Sequence, residues 1–220
     1  MCTNYRAPDE DPRISELKID IGKLWRHAPW KVDVYPDYNA PIMTADPVGQ
    51  DGVVAVFGFW PKFLQPERLS PAGKKLAPYN TVNARGEEVG TKRLYAKAWR
   101  EGRRCLIPAR WVVEPCWESG KNVWHHIGIA NVETYCVAGV WSRYEDPDRG
   151  TLVGMTMLTL NADDHALMKR MHRPNDEKRS VVVIRPEDYD EWLHTTNVDA
   201  ARSMLQLWPA EEMWTEPVPG

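Results

Sequence analysis

The sequence predicts an α+β fold: a single domain built on a largely antiparallel, barrel-like β-sheet flanked by helices. Three observations carry this. Segments with the length and the β-branched and aromatic content of strands follow one another through the middle of the chain. Helical spacing of apolar residues is found toward the two ends, so the order is not the alternating βαβ of a parallel sheet. Finally, no repeat, low-complexity tract or Gly/Ser linker divides the 220 residues, a length that suits one well-buried core.

Ile14, Leu17, Ile21 and Leu24 recur at helical spacing and Pro29 ends the pattern, which predicts an amphipathic helix. Residues 53–60 read VVAVFGFW between Asp51-Gly52 and Pro61, a strand by length and content. Further strands are expected at 105–107, 111–114, 123–129, 135–141, 152–160 and 181–184, with a helix over about 95–100. Asp163 or Asp164 can cap a helix running toward His172. Pro186 suits the first position of another toward Leu193, and Asn197 can cap the next. The last stretch, 196–220, is expected to be a helix and a tail.

Composition narrows the function classes. A hydrophobic fraction of 43% and a charged fraction of 27% are those of a soluble globular protein, and no apolar run approaches the roughly 20 residues a bilayer requires. The start, MCTNYR followed by acidic residues, lacks the basic and apolar regions of a secretory signal, so a cytoplasmic location is expected. There Cys2, Cys105, Cys116 and Cys136 would stay reduced, and no CxxC or Cys/His spacing points to zinc; neither metal nor cofactor is expected.

The net charge of -3 lacks the basic footprint of a nucleic-acid-binding domain. Locally, however, Lys92, Arg93, Lys97, Arg100, Arg103 and Arg104 fall within thirteen residues, either a solvated helix face or a basic groove. The chain also holds eleven Trp, most of them core, although exposed aromatics serve single-strand binders as stacking platforms.

Cys2 is the residue with distinctive chemistry. A small second residue permits loss of Met1, leaving an amine and a thiol on one residue. An α-amine with pKa about 7.7–8.0 is substantially neutral at physiological pH, so it can attack an aldehyde and form a Schiff base. The thiol beside it can then add to the imine carbon and close a five-membered thiazolidine, a trap no internal cysteine can make. The plain alternative is a small residue near a chain end.

Four internal segments add to this: NTVNARGEE at 80–88, CLIPARWVVE at 105–114, CVAGVW at 136–141 and VVVI at 181–184. With Met1-Cys2 they resemble, in order over about residues 2–195, the SOS-response-associated peptidase family, the SRAP domain. The resemblance implies a sensor that links its N-terminal cysteine to the ring-opened sugar of an abasic site in single-stranded DNA. By position it implies Cys2 as nucleophile, Asn83 positioning amine and sugar, and Glu114 as proton shuttle. It implies His172 as the late family histidine, with His165 as the alternative. Arg85 is the implied phosphate contact, since a planar guanidinium grips two oxygens.

The pattern departs from the family in places. Met-Cys-Gly-Arg is here Met-Cys-Thr-Asn, so Arg6 is the substitute for the arginine near the nucleophile. The family's Trp-Gly-Leu-x-Pro-x-Trp is FGFWPKF, which leaves Phe57, Phe59 and Trp60 as expected base-stacking rings; Lys92 and Arg93, from the basic run, are expected as further DNA contacts. Three rival readings stand beside this one. They are an N-terminal-nucleophile hydrolase of the glutamine amidotransferase kind, a cysteine peptidase as the family name suggests, and a non-catalytic single-stranded DNA-binding module.

Overall fold

The computed structural model describes residues 4–9, 21–45 and 52–219. In chain order its strands begin with β1 (Asn4–Arg6), β2 (Asp33–Val34), β3 (Asn39–Thr44), β4 (Val53–Phe57), β5 (Arg68–Leu69), β6 (Lys75–Leu76) and β7 (Asn83–Arg85). There follow β8 (Arg104–Ala109), β9 (Trp111–Cys116), β10 (Val123–Ile129), β11 (Tyr135–Asp146), β12 (Gly150–Asn161), β13 (Arg179–Val181), β14 (Val183–Ile184) and β15 (Met213–Pro217). The helices are short: α1 (Ile21–His27), α2 (Ala96–Arg100), α3 (Tyr189–His194) and α4 (Val198–Ser203).

Five strands close into the barrel the sequence predicts. β12 pairs with β4, β4 with β3, β3 with β8, β8 with β11 and β11 with β12, all antiparallel except β12–β4. Closure requires a glycine where β12 meets the end of β4: a Cβ on Gly154 would lie 2.5 Å from the Phe59 carbonyl oxygen. Ile42, Phe57, Leu106, Ile107, Met155, Met157 and Leu158 are fully buried, each contributing about 1.5–3 kcal/mol relative to exposure. β7 adds to β12 in parallel, and β13 adds to it antiparallel.

A second, antiparallel sheet has the order β15-β10-β9-β1-β2. β15 lies in the stretch expected to be a tail. Its register places Trp214 opposite Gly128, where a Cβ would come within 2.5 Å of the indole; the ring covers the bare strand that glycine leaves.

Two other expectations change. The helix expected from Asp163 toward His172 is only a 3-10 turn at Met168–Arg170. The short polar side chains at its start bond to nearby backbone instead of capping a helix: Asn161 Oδ1 accepts from Asp163 N and Asp163 Oδ1 accepts from Lys178 N. The strand expected at 181–184 divides between two partners. Val182 donates to Leu158 O and accepts from Ala138 N, so β13 runs on β12 and β14 on β11. Pro186 opens a 3-10 turn leading into α3, and Asn197 caps α4 by accepting from Asp199 N and Ala200 N. Of the predicted N-terminal helix, α1 is described; residues 10–20 lie outside the described residues.

Candidate functional site

β9 has two faces because successive side chains alternate. Trp111 and Val113 line a cleft of about 770 Å³ together with Asn4, Arg6, Tyr35 and Trp124. Glu114 belongs to the other face, with Val112 and Cys116, and is 2% exposed. Burial pushes its carboxyl up to about 7.

Facing Glu114 is His172, 6% exposed, with Nε2 3.6 Å from Glu114 Oε2. Its backbone has φ +58, a left-handed conformation that costs a residue with a Cβ on the order of 1 kcal/mol or more. Contacts on both sides hold it there. His172 N donates to Pro115 O at 2.7 Å, the Lys178 ammonium donates to His172 O at 3.3 Å, and Met171 forms a bridge with Cys116. Burial, together with the Lys178 charge, pulls the imidazole down to about 4. At pH 7 the pair is therefore a neutral imidazole against a half-protonated carboxyl rather than an ion pair. At 3.6 Å it is also too long for a direct hydrogen bond.

His165 has a different job. Its Nε2 meets Trp208 O at 2.8 Å and its Nδ1 accepts from Met168 N at 3.1 Å, so both ring nitrogens tie loops together. Of the two histidines, it is His172 that lies against Glu114.

Asn83 and Arg85 stand on β7, with Asn83 half-buried and opposite Met157. The Arg85 side chain is 48% exposed and pairs with Glu177. Glu177 in turn accepts from Arg179 at 2.7 Å, and the Arg179 carbonyl lies 3.4 Å from His172 Nε2. Arg179 is 3% exposed and also donates to Glu87 Oε2, Thr159 Oγ1 and Thr159 O. A chain of polar contacts thus runs from Arg85 through Glu177 and Arg179 to His172. Sequence reasoning missed Glu87, Glu177, Lys178 and Arg179 in this role. The available signal was two basic residues entering an otherwise apolar strand, where they have to find acids if they are buried. Cys2 lies outside the described residues.

The expected DNA contacts fare unevenly. Phe57 is fully buried and Phe59 is 2% exposed, packed edge-on against Tyr5 and Tyr95 respectively, so neither ring can meet a base; Trp60 keeps a partly open face. These rings are core because β4 and the turn after it lie against β12 and Thr81 rather than on the surface. Arg6 pairs with Asp33 at 3.0 Å and its guanidinium lies over Trp111 in the cleft. The basic run is largely neutralised: Lys92 pairs with Glu88, and Lys97 and Arg103 pair with Glu101. Arg104 is buried, donating to Trp192 O and Thr195 O. Arg93 and Arg100 remain exposed.

Among the described residues no group of three or more His, Cys, Asp and Glu side chains could hold a metal ion. What the site offers is acid–base chemistry: a buried carboxyl that burial raises to about 7, beside a histidine in a left-handed backbone conformation.

Comparison with known proteins gives the following. A family model described as SOS response associated peptidase (SRAP) matches residues 1–220. A solved protein from Bordetella bronchiseptica is 30% identical, with 99% of this chain and 100% of that one covered at a TM-score of 0.82. A protein from Bacteroides thetaiotaomicron (16% identity, 99% and 92% covered, TM-score 0.73) shares the fold. So does a phage-related protein from Bordetella bronchiseptica (17%, 100% and 95% covered, TM-score 0.63). No curated protein matches.

Proposed function

This chain belongs to the SOS response associated peptidase family, and from that premise we propose that it captures abasic sites in single-stranded DNA as a covalent adduct on Cys2 once Met1 is removed. Membership supports a role in the response to DNA damage. The capture step is the reading we add.

The observation that carries it is the buried carboxyl of Glu114, raised by burial to about 7, on the strand that pairs with β1. Asn4 is the Cα partner of Val113, the residue before Glu114. Cys2 is separated from Asn4 by two residues of chain, which span at most about 7 Å.

In the proposed reaction the Cys2 amine adds to the sugar aldehyde to give a carbinolamine. Glu114, still partly protonated at pH 7, donates a proton to the departing hydroxyl, water leaves, and the nitrogen returns a proton to the Glu114 carboxylate as the imine forms. The thiol sulfur then bonds to the imine carbon while its proton goes to nitrogen, closing the thiazolidine. One water is lost overall and nothing is oxidised or reduced. His172 lies against the carboxyl, Asn83 orients the sugar and Arg85 contacts phosphate.

Intact-mass measurement tests the reading. The protein should lack Met1 and gain one abasic oligonucleotide minus one water, with no gain from intact DNA. Adducts with both strands, or with neither, would overturn it; cleavage of a peptide at Cys2 without an adduct would point to the hydrolase named by the family.

A further inference from the structure

A second cleft, of about 310 Å³, lies between the end of β10 and β14. Ile129, Val183, Ile184 and Pro186 give it apolar walls, and the Trp208 ring joins them. None of its lining residues belongs to the Glu114–His172 pair or to the cleft beside β9. Its volume stands at the lower end of the roughly 300–1,000 Å³ of small-molecule sites, which are mostly apolar with a few polar groups that fix orientation.

Two polar groups of this kind are present, and the protein pairs neither of them. Thr134 lines the cleft at 5% exposure and its hydroxyl oxygen has no hydrogen-bond partner; the indole Nε1–H of Trp208 is buried without one as well. A buried polar atom left unpaired carries its full desolvation cost, which a ligand atom reaching it recovers. Trp208 can only donate, so the group that satisfies it is an acceptor. Charge then selects among acceptors. Arg185 stands between the lining residues Ile184 and Pro186, is exposed, and holds its guanidinium 4.6 Å from the Trp208 ring centroid. Among the described residues it has no ion pair, although Glu187 and Asp188 follow on the next turn. The walls are tied down before any ligand arrives: Trp208 O meets His165 Nε2 at 2.8 Å, and the Tyr135 hydroxyl donates to Ile127 O at 3.2 Å.

We propose that this cleft binds a small apolar monocarboxylic acid, its hydrocarbon end against Ile129, Val183 and Ile184 and its carboxylate taking the hydrogen bonds of Thr134 and Trp208 beside Arg185. The assignment does not depend on the reading of Cys2. A carboxylate oxygen makes a stronger hydrogen bond with each donor than a neutral acceptor does, and it brings the charge that Arg185 complements. A hydrocarbon of the same shape would fill the walls and leave both donors unpaired.

Titration of the native protein with benzoate and with hexanoate, each beside its neutral amide and followed by proton–nitrogen NMR, tests this. The Trp208 indole N–H signal, identified by its loss in Trp208→Phe, should move downfield with the acids and less with the amides. Thr134→Val should lower affinity for the acids about ten-fold, the loss of one hydrogen bond to a charged group. The same variant should melt no lower than the native protein, because it removes an unpaired hydroxyl without changing the shape of the side chain. Arg185→Gln should weaken the acids and leave the amides unchanged. A Trp208 signal that neither acid moves overturns the site. Amides that bind as tightly as the acids overturn the carboxylate, and native affinity in Thr134→Val overturns the placing of that carboxylate on the unpaired hydroxyl.

Discussion

Glu114 and His172 are held 3.6 Å apart by a backbone bond from the histidine to the residue next to the glutamate, so the pair is assembled by strand β9 itself. Neither side chain needs the charge of the other. Burial raises the carboxyl to about 7 and lowers the imidazole to about 4, which leaves one exchangeable proton near neutral pH.

The first prediction concerns rate. If Glu114 donates the proton that expels water, adduct formation should slow above pH 7 as the carboxyl empties. Glu114→Gln should lower the rate by about 10²–10⁴-fold and abolish that limb. Single-turnover cross-linking from pH 5 to 9 measures both; a variant with the native profile would exclude the role. Binding to undamaged strand should not change.

Stability should respond to the same pair, with opposing signs. Glu114 has a folded pKa above its usual 4.5, so its contribution is full below 4.5 and falls, by roughly 3 kcal/mol at most, as pH rises to 7. His172 has a folded pKa below 6.5, so its contribution is lost as pH falls from 6.5 toward 4. In the native protein the two slopes oppose one another between 4.5 and 6.5. Glu114→Gln should expose the histidine slope, gaining on the order of 2 kcal/mol between pH 4 and 6.5. Denaturant titration at both pH values checks this, and equal slopes in the two proteins would contradict it.

At the nucleophile, Cys2→Ser should still form an imine that borohydride traps, since the amine is intact. It should lose the heat-stable product, because oxygen closes and holds such a ring less well. If adducts of both proteins survive heating equally, the thiol has no part in the reaction.

Arg85 is tied to Glu177, so any phosphate must compete with that pair. Arg85→Ala should weaken binding of every strand alike, with a salt slope shallower by no more than about 0.7. Glu177→Gln should strengthen binding by releasing the guanidinium. Fluorescence titrations at several salt concentrations distinguish these outcomes, and weaker binding in Glu177→Gln would show that Arg85 needs the acid for its position.

The residues themselves determined the class of fold and most of its strands, because strand content and alternation are local properties: 123–129 is read from sequence with the bounds of β10. The cap at Asn197 and the start at Pro186 were equally local. The family was legible too, in short motifs spread over the chain. Only the tertiary structure decided which side chains are free to act. Phe57 and Phe59 look like stacking rings in a string of letters, yet barrel closure at Gly154 turns them inward. Arg104 reads as part of a basic run, yet it is buried against α3. The Glu114–His172 contact joins residues 58 positions apart, and the network around buried Arg179 joins the turn after β7, β12 and β13. Burial and pairing arise from contacts distant in sequence, and it is burial that sets the pKa values on which the proposed chemistry depends.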